Sequence, residues 1–144
     1  MVHNAYDLNQ LVKICPAKIE SVGSWGCRLL FGCMDGSLRI YVPESMSRQN
    51  IPSDDSDGSG IITEAHVLER IVVGFAKKAV MSMDVLHSRR LLLSLSDAIT
   101  LHRLPEFEVA AYIGKTKGAS LYAWDDKRGF LCVNKQYEAD STKI

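Results

Sequence analysis

The sequence predicts an all-β fold, in the form of a partial β-propeller with about two and a half four-stranded blades. Three observations support this prediction: the apolar residues fall in short runs, turn-forming residues separate the runs, and the pattern repeats along the chain. The runs are roughly five to nine residues long, a length typical of strands and short for helices. No segment of the sequence requires a helix.

The short apolar runs predict ten strands, whose ranges are 17–22, 28–34, 37–42, 65–73, 80–86, 90–95, 98–103, 107–113, 119–124 and 129–134. Asp35 and Gly36 separate the second and third strands, and this pair tolerates positive φ, which predicts a two-residue hairpin. Ser96 and Asp97 form a weaker turn signal at the matching place. The best helix candidates, 5–13 and 63–70, are short, and the second alternates in a way that also suits a strand.

An internal repeat relates these strands to one another. A shift of 61 residues places Leu30 on Leu91 and Leu38 on Ile99, and a further shift of 39 places Leu91 on Phe130. The two shifts differ by 22 residues, which is about the length of the polar stretch 43–64. Without that stretch the unit is about 40 residues long, the size of a propeller blade.

The polar stretch 43–64 is rich in Ser, Asp, Gly and Pro, which predicts a disordered acidic loop inserted into the first unit. Residues 55–62 match the first eight positions of an EF-hand calcium loop. The match fails at the twelfth position, where His66 replaces the bidentate Glu, and Pro52 argues against an entering helix. We therefore expect a solvated linker and no metal site.

Composition restricts the class of protein further. The 144 residues are 47% hydrophobic and 24% charged, as in one soluble globular domain. Seventeen Lys and Arg balance seventeen Asp and Glu, so no excess charge attracts nucleic acid or anionic lipid. The N-terminus lacks a signal-peptide pattern, and no apolar run approaches the ~20 residues of a membrane span. A cytoplasmic protein without a transmembrane segment is expected.

The sequence offers little chemistry for catalysis or cofactors. None of the cysteines forms a C-x2-C pair; Cys27 and Cys33 are predicted to be small buried hydrophobes, and the thiols to be free. Gly114, Lys115 and Thr116 resemble the end of a phosphate-binding loop, but Val109 stands where an earlier glycine is needed. The four histidines are scattered, and the paired Asp125 and Asp126 are expected to be solvated in a turn. The prediction is a non-enzymatic protein with no cofactor and no metal.

Basic residues are the best candidates for contact with an acidic partner, although they can equally solvate strand ends and suppress edge pairing. They occur in three segments, as Lys77, Lys78, Arg89, Arg90, Lys115 and Lys117.

Six segments together carry a family resemblance: HNAYD at 3–7, GCMDGSLRIY at 32–41, VLER at 67–70, FAKK at 75–78, LLLSLS at 91–96 and KTKGAS at 115–120. Through them the chain resembles the N-terminal citron homology (CNH) domain of the vacuolar sorting-associated protein 39 family, with the plant forms nearest. The resemblance covers about residues 1–134 and leaves 135–144 as a divergent tail.

The resemblance implies the first part of a CNH β-propeller, at the head of a subunit of the HOPS tethering complex. It implies a role in fusing late endosomes and autophagosomes with the vacuole, and hence in intracellular protein transport. The implied partners are a Rab-type small GTPase and other HOPS subunits, at the periphery of the late endosome and vacuole membranes. It offers no catalytic residues.

Besides a small calcium-binding or hydrolytic protein resting on residues 55–60 or on Asp125 and Asp126, two alternatives stay open at this point. One is a regulator that promotes nucleotide exchange on a small GTPase, an activity linked to CNH proteins. The other is a truncated fragment without function, because the family pattern would continue after Gln136 and because closing a propeller usually needs four or more blades.

Overall fold

The computed structural model describes residues 8–47, 64–135 and 138–144. These residues form antiparallel β-structure with only three short 3-10 turns, Glu44–Met46, His87–Arg89 and Gly114–Thr116. The all-β prediction is confirmed. In chain order the strands are β1 (Ile19–Trp25), β2 (Arg28–Cys33), β3 (Leu38–Pro43), β4 (His66–Val72), β5 (Ser82–Leu86), β6 (Leu91–Leu95), β7 (Ile99–Arg103), β8 (Glu108–Ile113), β9 (Tyr122–Asp125), β10 (Phe130–Lys135) and β11 (Glu138–Lys143).

The strands form three separate antiparallel sheets, each following the chain from neighbour to neighbour. Sheet A has the order β1-β2-β3-β4, sheet B the order β5-β6-β7-β8 and sheet C the order β9-β10-β11. They do not close into a barrel. All ten predicted strands are present, and the helix candidate at 63–70 contains the start of β4, in agreement with its alternation. Within the described part of the polar insertion, β3 ends at Pro43 and β4 begins at His66; the partial calcium-loop match at 55–62 lies outside the described residues.

Strand β11 is the one strand of the described residues that the sequence did not predict. It lies inside the divergent tail and pairs with β10 from Lys135 opposite Glu138 to Phe130 opposite Lys143. Its sequence, EADSTK, has low strand propensity and no apolar face, so the apolar pattern gave no signal for it. Strand β11 therefore forms because it pairs with β10, and its own residues do not favour a strand.

The turn between β2 and β3 is one residue longer than predicted. The Cys33 amide donates to the Ser37 carbonyl (3.0 Å), which leaves Met34, Asp35 and Gly36 as a three-residue loop. Gly36 takes φ +84° at its last position, the left-handed conformation that such loops require. Asp35 Oδ1 accepts from the Ser37 amide (2.9 Å) and so stabilises this three-residue loop.

Strand register supports the internal repeat and refines one of its shifts. Leu86 pairs with Leu91 in sheet B, and 39 residues later Asp125 pairs with Phe130 in sheet C. Between sheets A and B, the shift of 61 holds for β3 and β7, but Leu30 corresponds to Leu93 because these residues face Ile40 and Leu101. The shift that relates β2 to β6 is two residues larger than the one that relates β3 to β7, because the β5–β6 connection has two more residues than the β1–β2 turn.

The outer strands of sheets A and B carry matching β-bulges. The register shifts between Ile40 and Tyr41 where β3 meets β4, and between Leu101 and His102 where β7 meets β8. These positions are 61 residues apart, so the irregularity repeats along with the strands. A bulge at an edge disrupts the row of free backbone groups and discourages pairing with another chain.

The three sheets pack face to face with sheet B in the middle. Leu92 belongs to the core shared with sheet A, which includes Leu30 and Ile40, and Leu93 belongs to the core shared with sheet C, which includes Leu131. Burial on both faces explains the continuous apolar run of β6, which an exposed strand would not tolerate.

The remaining face of sheet A is covered by the chain's own N-terminal segment. Leu11, Val12, Cys15 and Ala17 pack against a cluster that includes Phe31 and Cys33. The Leu11 carbonyl accepts from the His66 amide (2.8 Å) and anchors the segment beside β4. All four cysteines are free thiols; Cys33 is buried as predicted, whereas Cys27 lies half-buried in the β1–β2 turn, where no sheet covers it fully.

Candidate interaction surfaces

The six predicted contact residues lie at two opposite ends of the sheets. Arg89 and Arg90 occupy the β5–β6 connection, which we call the arginine end. Lys77 and Lys78 lie in the β4–β5 connection and Lys115 and Lys117 between β8 and β9, which we call the lysine end. Successive turns of an antiparallel sheet alternate between its ends, so the five-residue strand β6 separates the two groups by roughly 17 Å. One flat partner surface therefore meets one group at a time.

The lysine end is built around the β2–β3 and β6–β7 turns. The Ala76 amide donates to the Gly36 carbonyl (2.9 Å), and the Val80 amide to the Cys33 carbonyl (3.1 Å). A Cβ atom at Gly36 would collide with the Ala76 carbonyl oxygen, so the connection bearing Lys77 and Lys78 can approach this closely only at a glycine.

Thr116 holds the second part of the lysine end. Its Oγ1 accepts from the Ile99 amide (2.7 Å) and donates to the Ile113 carbonyl (2.6 Å). The side chain is buried, while Lys115 and Lys117 on either side of it are exposed. The hydroxyl is thus committed to the fold, which explains the Lys-Thr pair without a phosphate ligand.

The lysines are the more available of the two groups. Within the described residues, no carboxylate lies within ion-pair distance of Lys77, Lys78, Lys115 or Lys117. The Arg89 guanidinium instead lies over the Trp124 ring, 5.4 Å from its centroid, and Arg90 takes a left-handed conformation with φ 52°.

A cleft of about 500 Å³ opens at the arginine end, between β5 and β9. Its walls include Asp84, Tyr122 and Trp124. The Tyr122 hydroxyl donates to Asp84 Oδ2 (2.6 Å), and burial together with this carboxylate raises the pKa of Tyr122 well above its usual value. At the rim, Ser88 Oγ donates to Asp126 Oδ1 (3.2 Å). Asp126 is exposed in the turn, as predicted.

A smaller groove of about 210 Å³ lies at the lysine end, between residues 74–77 and the outer strands of sheet B. Phe75, Val109 and Tyr112 form its apolar walls, and Lys77 and Asp97 supply charge. Burial alone would raise the pKa of Asp97, but hydrogen bonds from Tyr112 and Ser96 outweigh it and lower that pKa.

We call this groove the Phe75 groove. The sequence did not predict it, because its walls come from segments far apart in the chain. Phe75 and the exposed apolar pair Val109 and Tyr112 were the available signals. Single exposed apolar side chains are common on protein surfaces, and only their grouping into one patch, which the fold reveals, indicates a contact surface.

No group of three or more His, Cys, Asp or Glu in the described ranges is arranged to hold a metal ion. In those ranges no helix is long and apolar enough to cross a bilayer.

The fold and these surfaces define an all-β protein of stacked, repeated antiparallel sheets whose six candidate contact residues lie on the connections between strands. Three solved structures share this fold at 10% sequence identity. The computationally designed proteins Ika4 and Ika8 match 88% and 87% of this chain, with TM-scores of 0.55 and 0.54, over 67% and 33% of their own lengths. Sqt1 of Saccharomyces cerevisiae matches 94% of this chain with a TM-score of 0.56, over 39% of its length.

The chain also resembles curated proteins in sequence. The chain is 54% identical to vacuolar sorting protein 39 of Arabidopsis thaliana over 136 residues, 94% of its own length. It is 29% identical to the mouse and human Vam6/Vps39-like proteins over 127 residues. These relationships confirm the resemblance to the vacuolar sorting-associated protein 39 family. The chain spans 13% of the Arabidopsis protein and 14% of the mammalian ones. No protein-family model matches it.

Proposed function

We propose that this chain is a non-enzymatic protein-interaction module of a vacuolar tethering subunit. It acts from the cytoplasm, at the periphery of late endosome and vacuole membranes, in the fusion of endosomes and autophagosomes with the vacuole. The observation that carries the proposal is the 54% identity to vacuolar sorting protein 39 over nearly the whole chain.

The proposed architecture is the first part of a CNH β-propeller, with each sheet as one blade. Three features support it: every sheet is an antiparallel meander, the registers repeat at a spacing of 39, and the bulges recur at a spacing of 61. Strands β1 and β5, the first of their sheets, also lie next to each other, where the Ser21 hydroxyl donates to the Val80 carbonyl (2.8 Å). Innermost strands meet in this way around a propeller axis.

The proposed partners are a Rab-type small GTPase and other HOPS subunits, and the proposed contacts are the six basic residues. We assign the GTPase to the lysine end, because Lys77, Lys78, Lys115 and Lys117 face no described carboxylate at ion-pair distance. Arg89 and Arg90 are assigned to a second partner at the opposite end.

Co-precipitation with a vacuolar Rab-type GTPase, loaded with GTP or with GDP, tests the proposal. Retention of the GTP form alone is expected, with a loss of tenfold or more when Lys77, Lys78, Lys115 and Lys117 are changed to Glu. The matched control, Arg89→Glu with Arg90→Glu, should bind as the wild type does. Equal retention of both nucleotide forms, or binding unchanged by the lysine reversal, would contradict the proposal.

A nucleotide-release assay distinguishes tethering from nucleotide exchange. The GTPase is loaded with a fluorescent GDP analogue, and the chain is added in excess. The release rate should not change. Accelerated release would contradict the non-enzymatic role and favour the exchange-type alternative.

A further inference from the structure

We propose that the Phe75 groove binds an extended segment of a partner protein, in which a large apolar side chain is flanked by acidic residues. This inference rests on the proposed function only in taking the chain to be a protein-binding module. It assigns the binding element and the chemical class of its partner.

The groove has the shape and surface for one apolar side chain. Its volume of about 210 Å³ matches the scale of a Leu or Phe side chain with adjoining backbone. Phe75 forms one wall: its ring stacks on the buried His102 ring with 4.1 Å between centroids, so its position is fixed before a ligand arrives. Val109 and Tyr112 remain 59% and 53% exposed on β8 and supply apolar surface that a ligand can bury.

On sheet A, an extended apolar segment of the chain itself covers the face that corresponds to the groove-bearing face of sheet B. Tyr41 corresponds to His102 in the repeat, and its face of sheet A is covered by Leu11, Val12 and Cys15. That segment forms a backbone hydrogen bond beside the outer strand, from the His66 amide to the Leu11 carbonyl. On sheet B the matching outer region stays open and forms the groove.

The charges at the groove favour a partner segment in which acidic residues flank the apolar side chain. Lys77 lines the groove, and Lys78, Lys115 and Lys117 share the same end of the sheets. Two carboxylates lie in the turns at this end, Asp97, which accepts from the Tyr112 hydroxyl (3.0 Å), and Asp35, which lies 4.0 Å from Arg39, and the four lysines outnumber them. An acidic segment therefore gains from the lysines, and a basic one is repelled.

Amide chemical shifts of the 15N-labelled chain test this assignment. The probe is the synthetic peptide acetyl-Glu-Asp-Leu-Phe-Asp-Glu-amide, which should bind with a dissociation constant below about 1 mM. Shift changes should concentrate at residues 74–77 and 109–112. Two control peptides should fail to bind: one with Ser-Ser in place of Leu-Phe, and one with Lys at every acidic position.

Two variants locate the site, and their amide spectra report whether they fold. Val109→Asp should weaken the peptide at least tenfold, whereas Val22→Asp should not, because Val22 is 60% exposed on β1 but lies outside the groove. Equal binding by Val109→Asp, shift changes away from the groove, or equal binding of the serine peptide would overturn the inference.

The peptide and GTPase experiments fail independently. Peptide binding at the groove without GTPase retention would contradict the proposed function and leave the inference supported. GTPase retention without peptide binding would support the proposed function and contradict the inference.

Discussion

The ring of Phe75, in the connection between sheets A and B, stacks on the ring of His102 in β7, with 4.1 Å between centroids and 23° between planes. His102 is fully enclosed, and the ring nitrogens contact the Ser94 hydroxyl and the Phe107 carbonyl, both at 3.3 Å. A titratable ring thus forms part of the contact between two sheets.

Stability should fall in mild acid because of His102. Burial lowers the pKa of His102 below its ordinary 6.5. In the unfolded chain the ring takes up a proton as the pH drops below about 6.5, while the folded state resists it, so the free energy of unfolding declines from there until the folded pKa is passed. Urea unfolding at pH 7.5 and at pH 5.5 measures this decline. The decline should shrink in His102→Gln, and an equal decline in both proteins would contradict the assignment.

Thr116→Val should destabilise the chain by about 1–3 kcal/mol. The substitution keeps the shape but leaves the Ile99 amide without its 2.7 Å acceptor in a buried position. Urea denaturation measures the loss. Thr116→Ser retains the hydroxyl and should lose less; if it loses as much as Val, the hydrogen bond is not the cause.

Arg90→Gly should be more stable than Arg90→Ala by about 1 kcal/mol. Residue 90 sits at φ 52°, ψ 46°, where glycine carries no Cβ penalty, and the corresponding position in sheet C is Gly129 with φ 70°. Both variants remove the same side-chain interactions, so the difference in their thermal unfolding reports the backbone alone. Equal stability would show that the β5–β6 connection relaxes to another conformation.

Leu131→Ala should cost about 2–5 kcal/mol, because the fully buried Leu131 packs into the core shared by sheets B and C. Its neighbour Cys132 is exposed, so Cys132→Ala should stay within about 0.5 kcal/mol of the wild type. Denaturant unfolding followed by tryptophan fluorescence compares them. A small effect of Leu131→Ala would mean that sheet C unfolds separately from sheet B.

Much of the fold could be predicted because each strand carries a local signal. The run of β6 and the Asp35-Gly36 turn are visible without their partners, and the repeat follows from their spacing. Strand β11 could not be predicted, since its pairing is determined by β10 and not by its own polar residues. The correspondence of Leu30 with Leu93 also needed the register, because the two added residues lie in a connection without a sequence signal.

The candidate surfaces were less predictable than the strands. The six basic residues are evident in the sequence, but their division between two ends depends on which turns adjoin which connections. The Phe75 groove depends on contacts between residues more than thirty positions apart, such as Phe75 and Val109. Such contacts leave no trace in local apolar patterns.

The N-terminal segment that packs on sheet A gives the stack a direction. Leu11, Val12 and Cys15 serve as a cap on one side, much as terminal repeats of a solenoid shield its first unit from water. On the other side, Phe130 in β10 and Leu121 just before β9 are exposed. Within the described residues these two side chains stay exposed, so a further layer can pack on sheet C directly, whereas a layer added to sheet A must first displace the N-terminal segment.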